Sequence, residues 1–339
     1  MISSHVYDLI ADDMFLRVAG VGGLSRFFLK VEGFNAGGSI KLKTARSIVQ
    51  AAVNSGIDVT QTRFIESTSG NLGVALAVIC AAKRYQLTCV LDPNANPATV
   101  AIMQALGVDV HIVQERDVNG GFLGSRIAYI QNRLANEPNL YWLNQYANPG
   151  NPAAHEHCTA PAVLSTFGKV DCLFVGVGTG GTLMGCVDYF RRESPATRIV
   201  AVDAVGSLNF GRSPSPRHIP GLGTSRRPEI LDPHAPDEVV LIPEWETVRE
   251  CRWLARNTGL LAGGSTGTVM AAVRRVEPEI DNDATVVAIA PDLGERYLTT
   301  VYNDEWVAAH GLERPGDLDP VGVADTAQEL RGGQCDVFV

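Results

Sequence analysis

Apolar positions along the chain alternate between two spacings. Short continuous apolar runs at 27–31, 63–65, 87–91, 109–113, 172–176, 198–203 and 286–290 read as strands buried on both faces. The segments between them carry the three-to-four-residue recurrence of helices, predicted over 41–55, 72–85, 99–106, 124–136, 154–167 and 244–258. Two further helices are predicted, one running from the glycine-rich turn after residue 176 to 191 and one after residue 267. The 72–85 segment is apolar on nearly every face, which predicts a wholly buried helix. Residues 1–30 read as a short helix followed by a strand. Strands alternating with helices over short connections give an α/β fold with parallel sheets covered on both sides. The breaker-rich stretch 144–152 reads as a crossing between domains, and 206–228, rich in Gly, Ser, Pro and Arg, as a mobile loop.

The helix predicted over 41–55 opens on Lys41. Gly37 and Gly38 let the backbone turn before it, and Ser39 is placed to cap it. Lys41, Ala45, Ile48 and Ala52 recur at helical spacing and put the lysine on the apolar stripe, with Lys43, Arg46 and Gln50 expected on the wet face. Desolvation, and a cation's unfavourable place in a first helical turn, both push a lysine pKa down. A lowered pKa is what a lysine needs to attack an aldehyde.

Composition narrows the function classes. A chain of 339 residues, 45% hydrophobic and 19% charged, can bury one large or two medium cores. The net charge of −9 argues against a nucleic-acid partner. No apolar run reaches the ~18–20 residues of a membrane helix and no signal pattern opens the chain, so the expected location is cytoplasmic. Seven cysteines form no C-x-x-C pair and read as reduced core thiols. His155-Glu156-His157-Cys158 has its histidines at i and i+2, on different helix faces, so no metal is expected there.

Gly176-Val177-Gly178-Thr179-Gly180-Gly181 joins a strand to a helix and satisfies G-x-G-x-x-G, with Asp203 ending the next strand. A dinucleotide unit has this form. The physics of the loop, bare N–H groups at a helix start, specifies a phosphate and not which cofactor carries it. Thr179 and Thr182 add hydroxyl donors suited to a terminal phosphate. Ser67 to Gly73, at the start of the buried helix, offers hydroxyls and N–H groups that suit a carboxylate, and Gly263-Gly264-Ser265 is a similar small-residue turn.

Four motifs in order, Asn35-Ala36-Gly37-Gly38-Ser39-Ile40-Lys41, Thr68-Ser69-Gly70-Asn71-Leu72-Gly73, Gly178-Thr179-Gly180-Gly181-Thr182 and Gly263-Gly264-Ser265, are supported by Gln145-Tyr146-Ala147-Asn148-Pro149 and Gly294-Glu295-Arg296-Tyr297-Leu298. Together they resemble the fold-type II pyridoxal-phosphate enzymes of the cysteine synthase/cystathionine β-synthase family, from about residue 12 to about residue 305. The resemblance implies a tryptophan synthase β-like fold, two parallel-rich αβα domains with pyridoxal 5'-phosphate in the cleft between them. Residues 1–36 with 151–312 would form the larger, phosphate-binding domain and 37–150 a smaller, mobile, carboxylate-binding one. The tail, 313–339, is expected to be poorly ordered. By the same resemblance Lys41 is the Schiff-base lysine, Gly178, Thr179, Gly180, Gly181 and Thr182 cup the phosphate, Asn71 meets the phenolic oxygen and Ser265 the pyridine nitrogen. Thr68, Ser69, Gly70 and Gln145 would hold the substrate carboxylate.

Ala36 in place of proline, Lys41-Leu42-Lys43-Thr44 in place of Lys-Asp-Arg, and Leu72 in place of threonine look more like the branch that makes 2,3-diaminopropionate precursors for siderophores and tuberactinomycin-type antibiotics. That branch joins O-phospho-L-serine to L-glutamate. The resemblance therefore implies a homodimeric β-replacement transferase with these two small-molecule substrates. The loop bearing Arg212, Arg217, Arg226 and Arg227 is a candidate clamp for phosphate or glutamate, with Arg217 favoured because it precedes Ile219-Pro220-Gly221-Leu222-Gly223, similar to the family's active-site loop. A solvated basic loop is the plainer alternative. A cysteine synthase using sulfide, a nucleotide-dependent oxidoreductase and a catalytically silent binding protein of the same fold are the rival functions.

Overall fold

The computed structural model describes residues 2–118, 120–211 and 213–313; the expected tail beyond them, and Arg212, lie outside the described residues. In chain order the elements are β1 (Phe15–Arg17), β2 (Arg26–Val31), α1 (Lys41–Asn54), β3 (Arg63–Ser67), α2 (Asn71–Lys83), β4 (Gln86–Leu91), α3 (Pro97–Ala105), β5 (Asp109–Ile112), α4 (Leu123–Asn136) and β6 (Leu140–Trp142). They continue with α5 (Gly150–Ala154), α6 (Ala160–Phe167), β7 (Cys172–Gly176), α7 (Gly181–Glu193), β8 (Arg198–Ala204), β9 (Glu238–Ile242), α8 (Glu244–Thr258), α9 (Gly264–Val276), β10 (Thr285–Ala290) and α10 (Asp304–Ala309). β1, β6, β9 and α10 lie outside the elements that the pattern predicts. The first two are three residues long, too short for a period to register.

The strands form two sheets. One has the order β1-β2-β10-β7-β8-β9, parallel throughout except for β1; the other, β5-β4-β3-β6, is all parallel. Both faces of the larger sheet are covered: Phe27, Leu29, Phe174 and Val286 pack on one side with α9, and Leu173, Val175, Val287 and Ile289 on the other with α7. Double coverage explains the unbroken apolar runs of β7 and β10, and all six residues of β10 are buried.

Each sheet reverses its strand order once, and those reversals position the site. In the smaller sheet the chain steps outward from β3 to β4 to β5 and returns to β6 on the far side of β3. In the larger sheet it steps from β7 to β8 to β9 and returns to β10 on the far side of β7. The loops leaving adjacent strands at such a switch run in opposite directions and leave a crevice between them. Thr68, Ser69, Gly70 and Gln145 leave the smaller sheet there, and Gly178 and Asp292 leave the larger.

The helix predicted over 154–167 is interrupted. A π-helical turn, His155–Thr159, lies between α5 and α6. It brings His155 fully inside while His157 stays exposed, its ring Nδ1 2.7 Å from Ala153 O. The two histidines thus part, as their i, i+2 spacing requires.

Candidate active site

Lys41 is the first residue of α1 and is partly shielded by its neighbours. The cap falls on Ile40, one residue later than the expected Ser39, yet Ser39 Oγ still accepts the Lys41 N–H at 3.3 Å. Desolvation alone lowers the Lys41 amine from 10.5 to about 8. An amine whose only strong influence is loss of water is a nucleophile in waiting.

Lys43 departs from its expected place on the wet face. It is 3% exposed, its Nζ donates to Glu32 Oε1 at 2.8 Å and pairs with Asp12, and Lys30 Nζ stands 3.2 Å from the same Glu32 oxygen. The amphipathic stripe of α1 has one apolar side, but the helix is covered on two. α2 lies on the stripe, and the β2 end with the turn at 155–159 lies over Lys43. Arg46 and Gln50 are exposed, as expected.

The Gly178–Thr182 loop forms the N-terminus of α7. Gly180 is its cap at φ +90°, a left-handed conformation that disfavours a side chain, and no side chain caps the helix. Its first N–H groups are therefore free of side-chain partners and directed at whatever anion sits there. A Cβ on Gly178 would come within 2.8 Å of Gly221 O, and one on Gly221 within 3.3 Å of Ser265 Oγ. The backbone thus closes tightly around this point. Asn151 Nδ2 donates to Thr179 Oγ1 at 3.1 Å, and Thr44, one turn beyond Lys41, donates to Asn151 Oδ1 at 3.2 Å. His155 Nε2 lies 3.0 Å from Thr44 Oγ1 and 3.3 Å from Thr182 Oγ1. Burial, then the nearby charges of Lys41 and Lys43, hold this imidazole well below its usual range and so neutral. The lysine helix and the glycine loop are in this way joined by one buried polar network.

Thr68 and Gln145 are buried, with Ser69 and Gly70 beside them at the start of α2. Thr68 Oγ1 accepts the Gly73 N–H at 3.2 Å, and Gln145 Nε2 donates to Ser67 O at 3.0 Å. Beneath both loops lies Glu66. Burial raises its carboxyl to about 8, against hydrogen bonds from the backbone of Ser67, Gln145 and Asn144. Asn71 Nδ2 donates to Asp292 Oδ2 at 2.7 Å, and Ser265 Oγ is 3.4 Å from Asp292 Oδ1. Lys41, Asn71, Ser265, the Gly178 loop and the Thr68 loop therefore converge on one cleft.

The arginines of the 206–228 segment divide. Arg226 pairs with Glu229 at the surface, and Arg227 Nε donates to Asn209 O at 2.9 Å. Arg217 Nη1 donates to Leu222 O at 3.2 Å; a Cβ on Gly223 would come within 2.0 Å of that nitrogen. Its guanidinium thus lies under the loop that approaches Gly178, on the side of Asp203. Asp203 is fully buried, accepts the Ala204 N–H at 2.8 Å and is pushed up to about 6 by burial. It is not the exposed ribose-binding carboxylate that the dinucleotide reading needs.

Arg126 is a candidate site residue that the motifs do not flag. It projects from α4 with its side chain 11% exposed, Nη1 3.5 Å from Ser69 Oγ and Nε 3.6 Å from Asp92 Oδ2. The available signal was its spacing, since it shares a helical face with Leu123, Ile127 and Ile130, all buried. A cation on an apolar stripe beside the Thr68–Gly70 turn is a candidate ligand-binding group.

These features define a pyridoxal-phosphate enzyme of fold-type II. The family model described as pyridoxal-phosphate dependent enzyme matches residues 16–292, and the chain belongs to that family. It is 38% identical over 319 residues to the N-(2-amino-2-carboxyethyl)-L-glutamate synthase of Ralstonia nicotianae, covering 93% of this chain and 94% of the relative. Among solved structures it is similar to the O-acetylserine dependent cystathionine β-synthase from Helicobacter pylori, with a TM-score of 0.82 and 27% identity over 89% of this chain and 100% of the other. O-ureido-L-serine synthase gives the same TM-score at 30% identity, over 91% and 100%. The cofactor is pyridoxal 5'-phosphate and the chemistry is of the β-replacement class. Among the described residues no helix is long and apolar enough to cross a membrane.

Proposed function

We propose that the protein joins O-phospho-L-serine to L-glutamate, forming N-(1-amino-1-carboxy-2-ethyl)-glutamate and releasing phosphate, a step toward 2,3-diaminopropionate. The observation that carries this reading is the near end-to-end match to a relative named for that product. The residues present fit the cofactor: the α7 N-terminus receives its phosphate, Lys41 its aldehyde, Asn71 its phenolic oxygen and Ser265 its pyridine nitrogen. When bound, it supplies the electron sink that makes the substrate Cα–H acidic and lets the β-substituent leave.

The chain's own groups do the rest. Thr68, Ser69, Gly70 and Gln145 orient the substrate α-carboxylate at the N-terminus of α2. Lys41 Nζ takes the Cα proton and later returns it, which a lysine of lowered pKa does near neutrality. At Cβ the C–O bond to phosphate breaks and a C–N bond to the glutamate amine forms, with one amine proton lost. Arg126 supplies positive charge to the anion held beside Ser69. Arg217 keeps the loop at 219–223 closed over the cup, within reach of the departing phosphate once that loop moves. Residues 37–150 act as the smaller domain that closes on the substrate, against the larger formed by 1–36 and 151–312. The protein works as a cytoplasmic homodimer.

Mass spectrometry of product formed from O-phospho-L-serine with a panel of amines and sulfide tests the reading. A glutamate adduct with stoichiometric phosphate is expected. Cysteine from sulfide, with no adduct from glutamate, would replace it by a cysteine synthase.

A further inference from the structure

Several segments of 37–150 meet on the turn that follows β10. Asn71 Nδ2 donates to Asp292 Oδ2 and Arg296 Nη1 donates to Asn71 Oδ1, both at 2.7 Å. Arg296 Nη2 donates to Gly37 O at 2.9 Å, and Asn96 Nδ2 donates to Arg296 O at 2.6 Å. Asp292 is 2% exposed, receives the Tyr297 hydroxyl on Oδ2 and stands 3.4 Å from Ser265 Oγ. The surrounding backbone is fitted to both groups. A Cβ on Gly263 would come within 1.9 Å of Asp292 Oδ1, and one on Gly38 within 2.6 Å of Arg296 Nη2.

A primary amide has a donor end and an acceptor end of nearly equal shape, so an isolated asparagine is free to present either to a ligand. Guanidinium only donates. With Arg296 on Oδ1 and the Asp292 carboxyl on Nδ2, the Asn71 amide has one favourable orientation. Its oxygen is taken by Arg296 and one of its two N–H groups by Asp292. We propose that Asp292 and Arg296 are positioning residues that lock Asn71 as a donor toward the phenolic oxygen of the cofactor. Asp292 thereby also anchors Ser265, so that the two side chains assigned to the cofactor ring share one buried support. This inference rests on the role given to Asn71 above.

A double-mutant cycle in the apoprotein, read by pyridoxal-phosphate titration and by the visible circular dichroism of the bound cofactor, tests it. Asp292→Ala and Arg296→Met should each raise the cofactor dissociation constant about tenfold, the loss of roughly one hydrogen bond, and each should change the visible band. In an Asn71→Ala background Arg296→Met should add little, because its effect passes through Asn71, and Asp292→Ala should keep only the smaller part that passes through Ser265. A merely structural role would lower the melting temperature but add its full effect in both backgrounds, which would overturn the proposal. Unchanged affinity and band in both single variants would overturn it too. Should Asp292→Ala fail to fold, Arg296→Met carries the cycle alone, and the same two results decide it. If Asn71→Ala itself leaves affinity unchanged, the fault lies in the role given to Asn71, and the proposal falls with it.

Discussion

Lys43 Nζ lies 2.8 Å from Glu32 Oε1 with neither side chain more than 2% exposed, two residues along the helix from Lys41. Two lysines thus share one buried helix start and take opposite fates. Lys43 has two carboxylates against it and its pKa is raised, although burial alone would lower it. Lys41 has only burial, and its pKa falls. Removing Lys43 leaves the buried Glu32 with Lys30 alone against it. Lys43→Ala should therefore cost about 3 kcal/mol of stability, the low end for a broken buried pair, measured as a fall in the urea midpoint, while the folded fraction keeps its visible cofactor absorbance.

Lys41→Ala should do the reverse, abolishing turnover and the visible absorbance of the lysine-linked cofactor at little cost in stability. In the unaltered protein the rate of covalent cofactor capture should depend on the neutral amine. It should rise with pH through about 8 rather than near 10.5, followed by stopped-flow absorbance of the apoprotein mixed with pyridoxal phosphate. A midpoint near 10.5 would mean that Lys41 is not desolvated.

On the function proposed above, Thr182→Ala removes a hydroxyl donor to the cofactor's dianionic phosphate. Hydrogen bonds to charged groups contribute ~1.5–3 kcal/mol, so cofactor affinity should fall by about one to two decades. An unchanged titration would place the phosphate elsewhere.

Arg126 and Arg217 act at different points. Arg126→Ala, beside the proposed carboxylate site at Ser69, should lower kcat/KM for O-phospho- and O-acetyl-L-serine alike by about 2–4 kcal/mol in transition-state terms, without changing cofactor affinity. Arg217→Ala, by loosening the loop tied through Leu222 O, should impair O-phospho- and O-acetyl-L-serine alike. A loss confined to O-phospho-L-serine in the Arg217 variant would make that residue the phosphate clamp.

Glu66 predicts a pH dependence of stability. Its carboxyl is raised from 4.5 to about 8 in the folded chain, so the folded state keeps a proton that the unfolded state loses. The stability this contributes is complete below about 4.5 and declines as pH rises toward 8. Glu66→Gln should flatten that decline, checked by urea midpoints on either side of neutrality. An unchanged slope would show Glu66 ionised in the folded protein.

The sequence by itself determined most elements and the small-residue turns between them. The runs at β7 and β10, the bounds of α8, the buried α2 and the glycine turn before α7 follow from periodicity and from backbone freedom, both local properties. Lys41 was legible for the same reason, as a cation on an apolar stripe. Only the tertiary structure decided what faces each helix from a second side. A periodic stripe reports one buried surface, so it assigned Lys43 to water, where Glu32 and Asp12 in fact meet it. It was equally silent on Arg126, whose meaning depends on Ser69, 57 residues away, and on Asp292, which closes on Asn71 across 221 residues. Burial of a charge depends on partners brought together by chain reversal at the two sheet switches, and no local pattern encodes that distance.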